Sequence, residues 1–282
     1  MFADDTLIYT TGKSSAEVQK KLQLCINEAA DWYLDNNLLL NATKSNSLLL
    51  NNSTRQSKTP NPLDIFIGTT KIDHVSQADY LGLRIDNNLS WESHIGRLCK
   101  RLGSKIAELK HLRKTANNDI LLHFYNVYIQ PIIDYGITLW SNVPNTLLYK
   151  VQRMQNTCAR IISKNFNYII RGIDLVKSLH WMNVADRSRY FTCLLVFKCL
   201  HGMAPLYLEN QICFKKDMNM RCSNRTSEFD VFIPPFVSSA KEKSLFIKGA
   251  LIWNSLPIEL KSMSNIDGFR SAYKKHFLRN DT

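Results

Sequence analysis

Two adjacent carboxylates, Asp4 and Asp5, stand between Phe2-Ala3 and Leu7-Ile8-Tyr9. The pattern predicts strand, acidic turn, strand, with both acids at the tip. Paired carboxylates on a tight turn suit a hard divalent ion, Mg2+ above all, that also holds phosphate oxygens. A DD dipeptide alone is more often a solvated turn. The second feature begins at Ser90, where Trp91, Ile95, Leu98, Leu102, Ile106 and Leu109 recur at three and four and predict a helix over 90–114. Its other face carries Arg97, Lys100, Arg101, Lys105, Lys110, Arg113 and Lys114 against the single acid Glu108. Such a row can follow a phosphate backbone and gain from counterion release, although charge runs are usually solvated helix faces. A third group, Cys193, Cys199, His201, Cys213 and Cys222, lacks a close CxxC pair, so zinc is not expected. Cys193 and Cys199 read as core, as do Trp140, Trp181, Trp253, Phe191 and Tyr273.

The elements that would position these groups follow from periodicity and turn chemistry. Ser14 with Glu17 is a capping-box signature, and Val18, Leu22, Cys25, Ala29 and Trp32 continue an amphipathic helix over 14–36. Leu38–Leu40 and Leu48–Leu50 read as a strand pair, 51–62 as an exposed loop, and 64–67, 71–72 and 80–85 as strands with turns at Gly68-Thr69 and 86–88. After residue 90 the pattern is helical. An apolar, buried helix is predicted near 118–143, kinked or divided at Pro131, then an amphipathic one over 145–164 with Lys150, Arg153, Arg160 and Lys164 outward. Further helices are predicted over 174–179 and 184–200. Residues 209–247 read as loop with a strand at 231–233, and two short helices lie near the end, around 249–257 and 269–277. The fold class expected is α+β, predominantly α-helical.

The 282 residues hold 36 Lys plus Arg against 24 Asp plus Glu, a net +12. Residues 1–92 contribute 8 against 11, net −3, and 93–282 contribute 28 against 13, net +15. The excess positive charge therefore belongs to the helical part, which favours a polyanionic partner, nucleic acid before membrane. Seven Cys, an odd number in a chain of this size, suit a reducing compartment. With no apolar run of about 18 residues and no secretory signal, an intracellular protein, nuclear or cytoplasmic and without membrane contact, is expected.

The run Phe2-Ala-Asp-Asp-Thr6 resembles the metal-binding hairpin of reverse transcriptases. The resemblance continues in order along the chain. Ala30-Asp-Trp32 followed by Leu38-Leu-Leu-Asn-Ala-Thr-Lys44 is similar to the next palm block of non-LTR retrotransposon polymerases, in which a Lys lies near the incoming nucleotide's phosphates. Ile67-Gly-Thr-Thr-Lys-Ile72, Asp79-Tyr-Leu-Gly-Leu-Arg-Ile-Asp86, Leu89-Ser-Trp91 and His94-Ile95 resemble the primer-grip hairpin and thumb entry. Gly249–Pro257 and Phe269–Phe277 resemble the end of jockey-like members. The resemblance implies a partial palm of β-hairpins plus one helix over 1–89, a helical thumb over 90–165 and a basic helical C-terminal domain over 166–282. It implies RNA template and DNA primer as partners, Asp4 and Asp5 as metal ligands, and Lys44 as a phosphate contact or general acid. The fingers, earlier palm strands and a further metal-binding Asp are expected upstream of this sequence. The chain alone is then expected to hold Mg2+ weakly and not to polymerise; an upstream fingers–palm segment would be a partner. The alternative reading is a non-catalytic basic nucleic-acid-binding module or an unselected transposon relic.

Overall fold

The computed structural model describes residues 5–50, 63–218, 227–236 and 244–279. Asp4 and Cys222 lie outside them. The chain forms two compact units, 1–94 and 95–282, mostly helical with a few small two-stranded sheets.

In the first unit, helix α1 (Ser15–Asp35) starts where its capping chemistry places it. The Ser14 hydroxyl accepts from Glu17 N–H at 3.2 Å, and the Glu17 carboxylate accepts from Lys13 N–H at 2.9 Å, so orphan donors at the helix start are satisfied from both sides. The inner face of α1 packs Ile26, with Val18 and Leu22, onto Leu63, Ile65 and Ile72. Strands β1 (Asn46–Ser47) and β4 (Asp73–His74) pair in parallel, while β2 (Phe66–Ile67) and β3 (Thr70–Lys71) form a hairpin across Gly68 (φ 61°). Gln23 extends that hairpin, accepting from Phe66 N–H at 2.9 Å and donating to Phe66 C=O at 2.8 Å.

Three strand expectations fail here. Leu7–Tyr9 forms no strand; Leu7 and Tyr9 are exposed and only Ile8 packs inward. Leu38–Leu40 and Leu48–Leu50 do not pair either, because Asn41 accepts from Lys44 N–H and winds residues Ala42–Lys44 into a 3-10 turn. Alternating apolar residues become a strand only where a second backbone meets their N–H and C=O groups. The run 80–85, read as one strand, is instead the bend between β5 (Gln77–Tyr80) and β6 (Leu83–Asp86). Leu81 (φ 46°) and Gly82 (φ 76°) are both left-handed, the two-residue turn whose twist matches a hairpin.

β6 delivers the chain to the basic helix through a buried knot. The Asp86 carboxylate accepts from Ser90 N–H and Trp91 N–H, both at 2.9 Å, from Asn88 N–H at 3.1 Å and from the Ser90 hydroxyl at 3.1 Å. These bonds hold Leu89 (φ 53°) and Trp91 (φ 60°) in strained left-handed backbone just ahead of helix α2 (Glu92–Leu112).

The second unit continues α2 and adds α3 (Asn118–Phe124), a π-helical turn (Tyr125–Ile129), α4 (Gln130–Asp134) and α5 (Ile137–Trp140). The single helix expected over 118–143 is thus broken. Pro131 has no N–H for an i to i−4 bond, so the ladder widens into the π turn just before it, and Gly136 (φ 63°) reverses the chain ahead of α5. Leu121, Tyr125, Ile129 and Ile133 are buried on one face. The opposite face, with Ile120, Val127 and Tyr128, is exposed, so this stretch is not buried all round.

Helix α6 (Asn145–Ile162) packs against α7 (Gly172–Ser178) and the central helix α8 (Val184–Leu200). Short α9 (Leu206–Glu209), which no apolar periodicity marks, follows Pro205. The strand expected at 231–233 reduces to one bridge, Val231 with Phe214. Helices α10 (Leu245–Asn254), α11 (Ile258–Lys261) and α12 (Ile266–Arg279) close the unit; two helices were expected here, of which α10 begins earlier and ends before 257, α12 is longer, and short α11 is additional. Phe197, Trp253, Phe269 and Tyr273 are fully buried together, with Cys193 and Cys199 among them. Burial pushes the Cys158 and Cys193 thiols up to about 12. Trp140 is buried too, whereas Trp181 and Phe191 are half-buried.

Candidate nucleic-acid interface

α2 and α6 lie side by side and run the same way. The Lys150 ammonium acts on the half-buried Cys99 thiol, partly offsetting the rise that burial gives it; a β-carbon on Gly103 would sit 3.8 Å from Met154 Cε; and the Arg113 guanidinium lies 4.6 Å from the Phe166 ring centre. Each pair joins residues about fifty positions apart and both numbers rise together, so the two helices run in the same sense.

On α2 and just beyond its end, Lys100, Gly103, Ala107, Lys110 and Lys114 recur at three, four, three and four. On α6 and just beyond its end, Lys150, Arg153, Thr157, Arg160 and Lys164 recur with the same spacing. At about 100° per residue, each set forms one stripe along its helix. The α2 stripe flanks the buried Leu98, Leu102, Ile106 and Leu109, and the α6 stripe lies across its helix from the buried Val151, Gln155 and Cys158. Lys100, Lys110, Lys114, Lys150, Arg153 and Lys164 are exposed, and the small Gly103, Ala107 and Thr157 between them leave the floor open. No acid occurs from 135 to 173.

The remaining expected contacts are distributed differently. Lys105 is turned from this groove, its ammonium 2.8 Å from Glu108, the helix's one acid beyond its first turn, and 5.8 Å from the Tyr128 ring centre. Arg101 is exposed and Arg97 half-buried toward that other edge. Arg113 is half-buried over Phe166. Seven bases that look like one stripe in the sequence therefore divide between two edges. The α6 cations are absent from the expected contacts because they lie fifty residues on; the acid-free interval 135–173 was the available signal.

Asp5 is exposed and Lys44 is exposed at the end of its 3-10 turn. Among the described residues, no hydrogen bond or ion pair joins them, and no group of three or more His, Cys, Asp or Glu is placed to hold a metal. The described residues thus supply no ligand set fitting a pair of Mg2+ ions, which takes several carboxylates. His201 stacks on Phe197 at 4.0 Å and its Nδ1 lies 2.8 Å from Phe197 C=O, a helix-end position. Among the described residues, no helix is long and apolar enough to cross a membrane.

A cleft of about 690 Å3 lies elsewhere in the second unit, beside Trp181, Asp134, Arg187 and Lys274. Its main charges neutralise each other: Arg187 donates to both oxygens of Asp134, which also accepts from Gln130. It has no net charge pattern comparable with the groove.

Comparison with known proteins finds relatives over about two-thirds of the chain. The chain is 25% identical over 197 residues to the probable RNA-directed DNA polymerase from transposon X-element of Drosophila melanogaster, covering 67% of this chain and 21% of that protein. The probable RNA-directed DNA polymerase from transposon BS of the same species matches with the same identity and coverage. The RNA-directed DNA polymerase from mobile element jockey of Drosophila funebris is 23% identical over 191 residues, 67% of this chain and 20% of that protein. The chain thus has homologues among the RNA-directed DNA polymerases of jockey and other Drosophila non-LTR transposons, and spans about a fifth of the length of the curated relatives it matches. No family model and no solved structure matches it.

Proposed function

We propose that this chain is a segment of a non-LTR retrotransposon reverse transcriptase whose helical unit grips template–primer nucleic acid in the groove between α2 and α6. The observation that carries the reading is the pair of equally spaced basic stripes on α2 and α6, the second within the acid-free interval 135–173, in a chain with polymerase homologues. Rigid helices fix the backbone positions from which their cations extend, so a duplex backbone can meet several of them at once. In this reading residues 1–89 are the last hairpins and helix of a palm, 90–165 a thumb and 166–282 a helical C-terminal domain.

Asp4 and Asp5 would supply Mg2+ ligands only as part of a larger carboxylate set, and Lys44 would meet the nucleotide's phosphates only beside it. The chain alone therefore binds nucleic acid and does not extend a primer. Binding of the full chain to an RNA–DNA hybrid, followed by fluorescence anisotropy at rising salt, tests the grip; absence of binding at 50 mM salt refutes it. Primer extension on an RNA template, with and without an added fingers–palm fragment, tests incompleteness. Extension by the chain alone would contradict it.

A further inference from the structure

The connection between α6 and α7 exposes four apolar side chains in a stretch of five residues. Phe166 is 42% exposed, Tyr168 81%, Ile169 89% and Ile170 36%, a concentration that a solvated loop does not require. The loop is fastened from within. Arg160 donates to Asn167 C=O at 3.0 Å and Ile170 C=O at 2.6 Å, Asn165 Oδ1 accepts from Asn167 N–H at 3.0 Å, and Asn167 Oδ1 accepts from Ile169 N–H at 3.0 Å. Tyr168 and Ile169 are thus held outward by a defined backbone.

The surroundings of the loop are cationic. Arg160, a member of the α6 stripe, stands 5.0 Å from the Tyr168 ring centre and covers one face of it. Lys164 and Lys114 end the two stripes beside it, and Arg113 covers Phe166. A ring with a guanidinium on one face and solvent on the other is a stacking platform for a base, and every base has a face to offer.

We infer that Tyr168, backed by Arg160 and flanked by Ile169, stacks on an unpaired base at the end of the duplex held in the α2–α6 groove. This deepens the proposed nucleic-acid grip and rests on it. Charge complementarity selects the occupant, because the loop stands in an acid-free interval at the common end of two basic stripes. The stripes hold phosphates and set the salt dependence, while the loop reads the presence of a base and not its identity.

The test compares binding of the full chain to an RNA–DNA hybrid carrying a one-nucleotide overhang with binding to the same hybrid carrying an abasic overhang. The wild-type chain should favour the base by about ten-fold. Tyr168→Ser with Ile169→Ser should erase that preference without changing the salt slope, and Tyr168→Phe should keep it. Equal affinities of the wild-type chain for the two hybrids, or a preference surviving the double substitution, overturns the loop's role while leaving the groove intact. No binding to either hybrid overturns the groove and the loop together. The loop assignment also fails if the double substitution abolishes binding to anionic phospholipid vesicles, or dissociates a dimer of this chain, with hybrid affinity unchanged.

Discussion

Neutralising three groove cations should lower the salt dependence of nucleic-acid binding by about half. Lys100, Lys110, Lys114, Lys150, Arg153 and Lys164 are the exposed cations of the two stripes, and Arg160 is engaged by the loop. If each of the six releases one counterion from a duplex, log affinity against log salt has a slope of about −5. Between 50 and 200 mM salt that is a loss of about a thousand-fold. Lys100→Gln, Lys110→Gln and Lys150→Gln together should bring the slope to about −3 and the loss to about sixty-fold. The control neutralises Lys13, Lys20 and Lys275, exposed cations on neither groove helix, with the same change in net charge. Anisotropy titrations on one RNA–DNA hybrid measure both slopes. Equal flattening by the two sets would mean that net charge, not the α2–α6 geometry, governs binding. An unchanged slope in the groove triple would refute the interface outright.

Further expectations concern the fold that holds the groove. Gln155 is fully buried, donating to Tyr125 Oη at 3.1 Å and Met182 C=O at 3.0 Å and accepting from Gln152. Gln155→Met should cost about 2 kcal/mol or more in urea unfolding because those groups stay buried with partners removed; a cost near zero would show that water replaces them. Gly172→Ala places a β-carbon 2.6 Å from Asn156 Cβ, so the α6–α7 approach must open, with an expected loss of about 1–3 kcal/mol. A thermal midpoint equal to wild type would contradict that contact. Cys158 and Cys193 hold their protons in the native state up to about 12, whereas the unfolded chain releases them from about 9.0. The unfolded state binds fewer protons in that window, so stability should be intact below pH 9 and fall as pH rises toward 12, by up to about 1.4 kcal/mol per pH unit for each thiol. Urea midpoints that stay level from pH 9 to 11 would contradict their burial.

The helices were legible because their signals are local. Ser14 and Glu17 mark the start of α1 by bonds between neighbours in sequence, and the apolar stripe of α2 is written at three and four. The strands were less legible. Leu7–Tyr9 and Leu38–Leu40 carry strand-like residues, yet pairing depends on a remote backbone, and the turn at Leu81-Gly82 lay inside a run of apolar alternation. The break of 118–143 into a π turn and short helices was half visible, since Pro131 was evident while the reversal at Gly136 was not.

For the site, sequence by itself determined that positive charge concentrates after residue 92 and that α2 and α6 are amphipathic with basic outer faces, while the motifs around Asp4, Asp5 and Lys44 gave a resemblance. Tertiary structure decided which cations lie together. A helix fixes the angle between its own residues, but only packing brings Gly103 to Met154 and Arg113 to Phe166, turns Lys105 toward Glu108, and sets Lys100, Lys110 and Lys114 along the same groove as Lys150, Arg153 and Lys164. Coulomb attraction for a phosphate backbone depends on distances between charges, and those distances are properties of the packed helices.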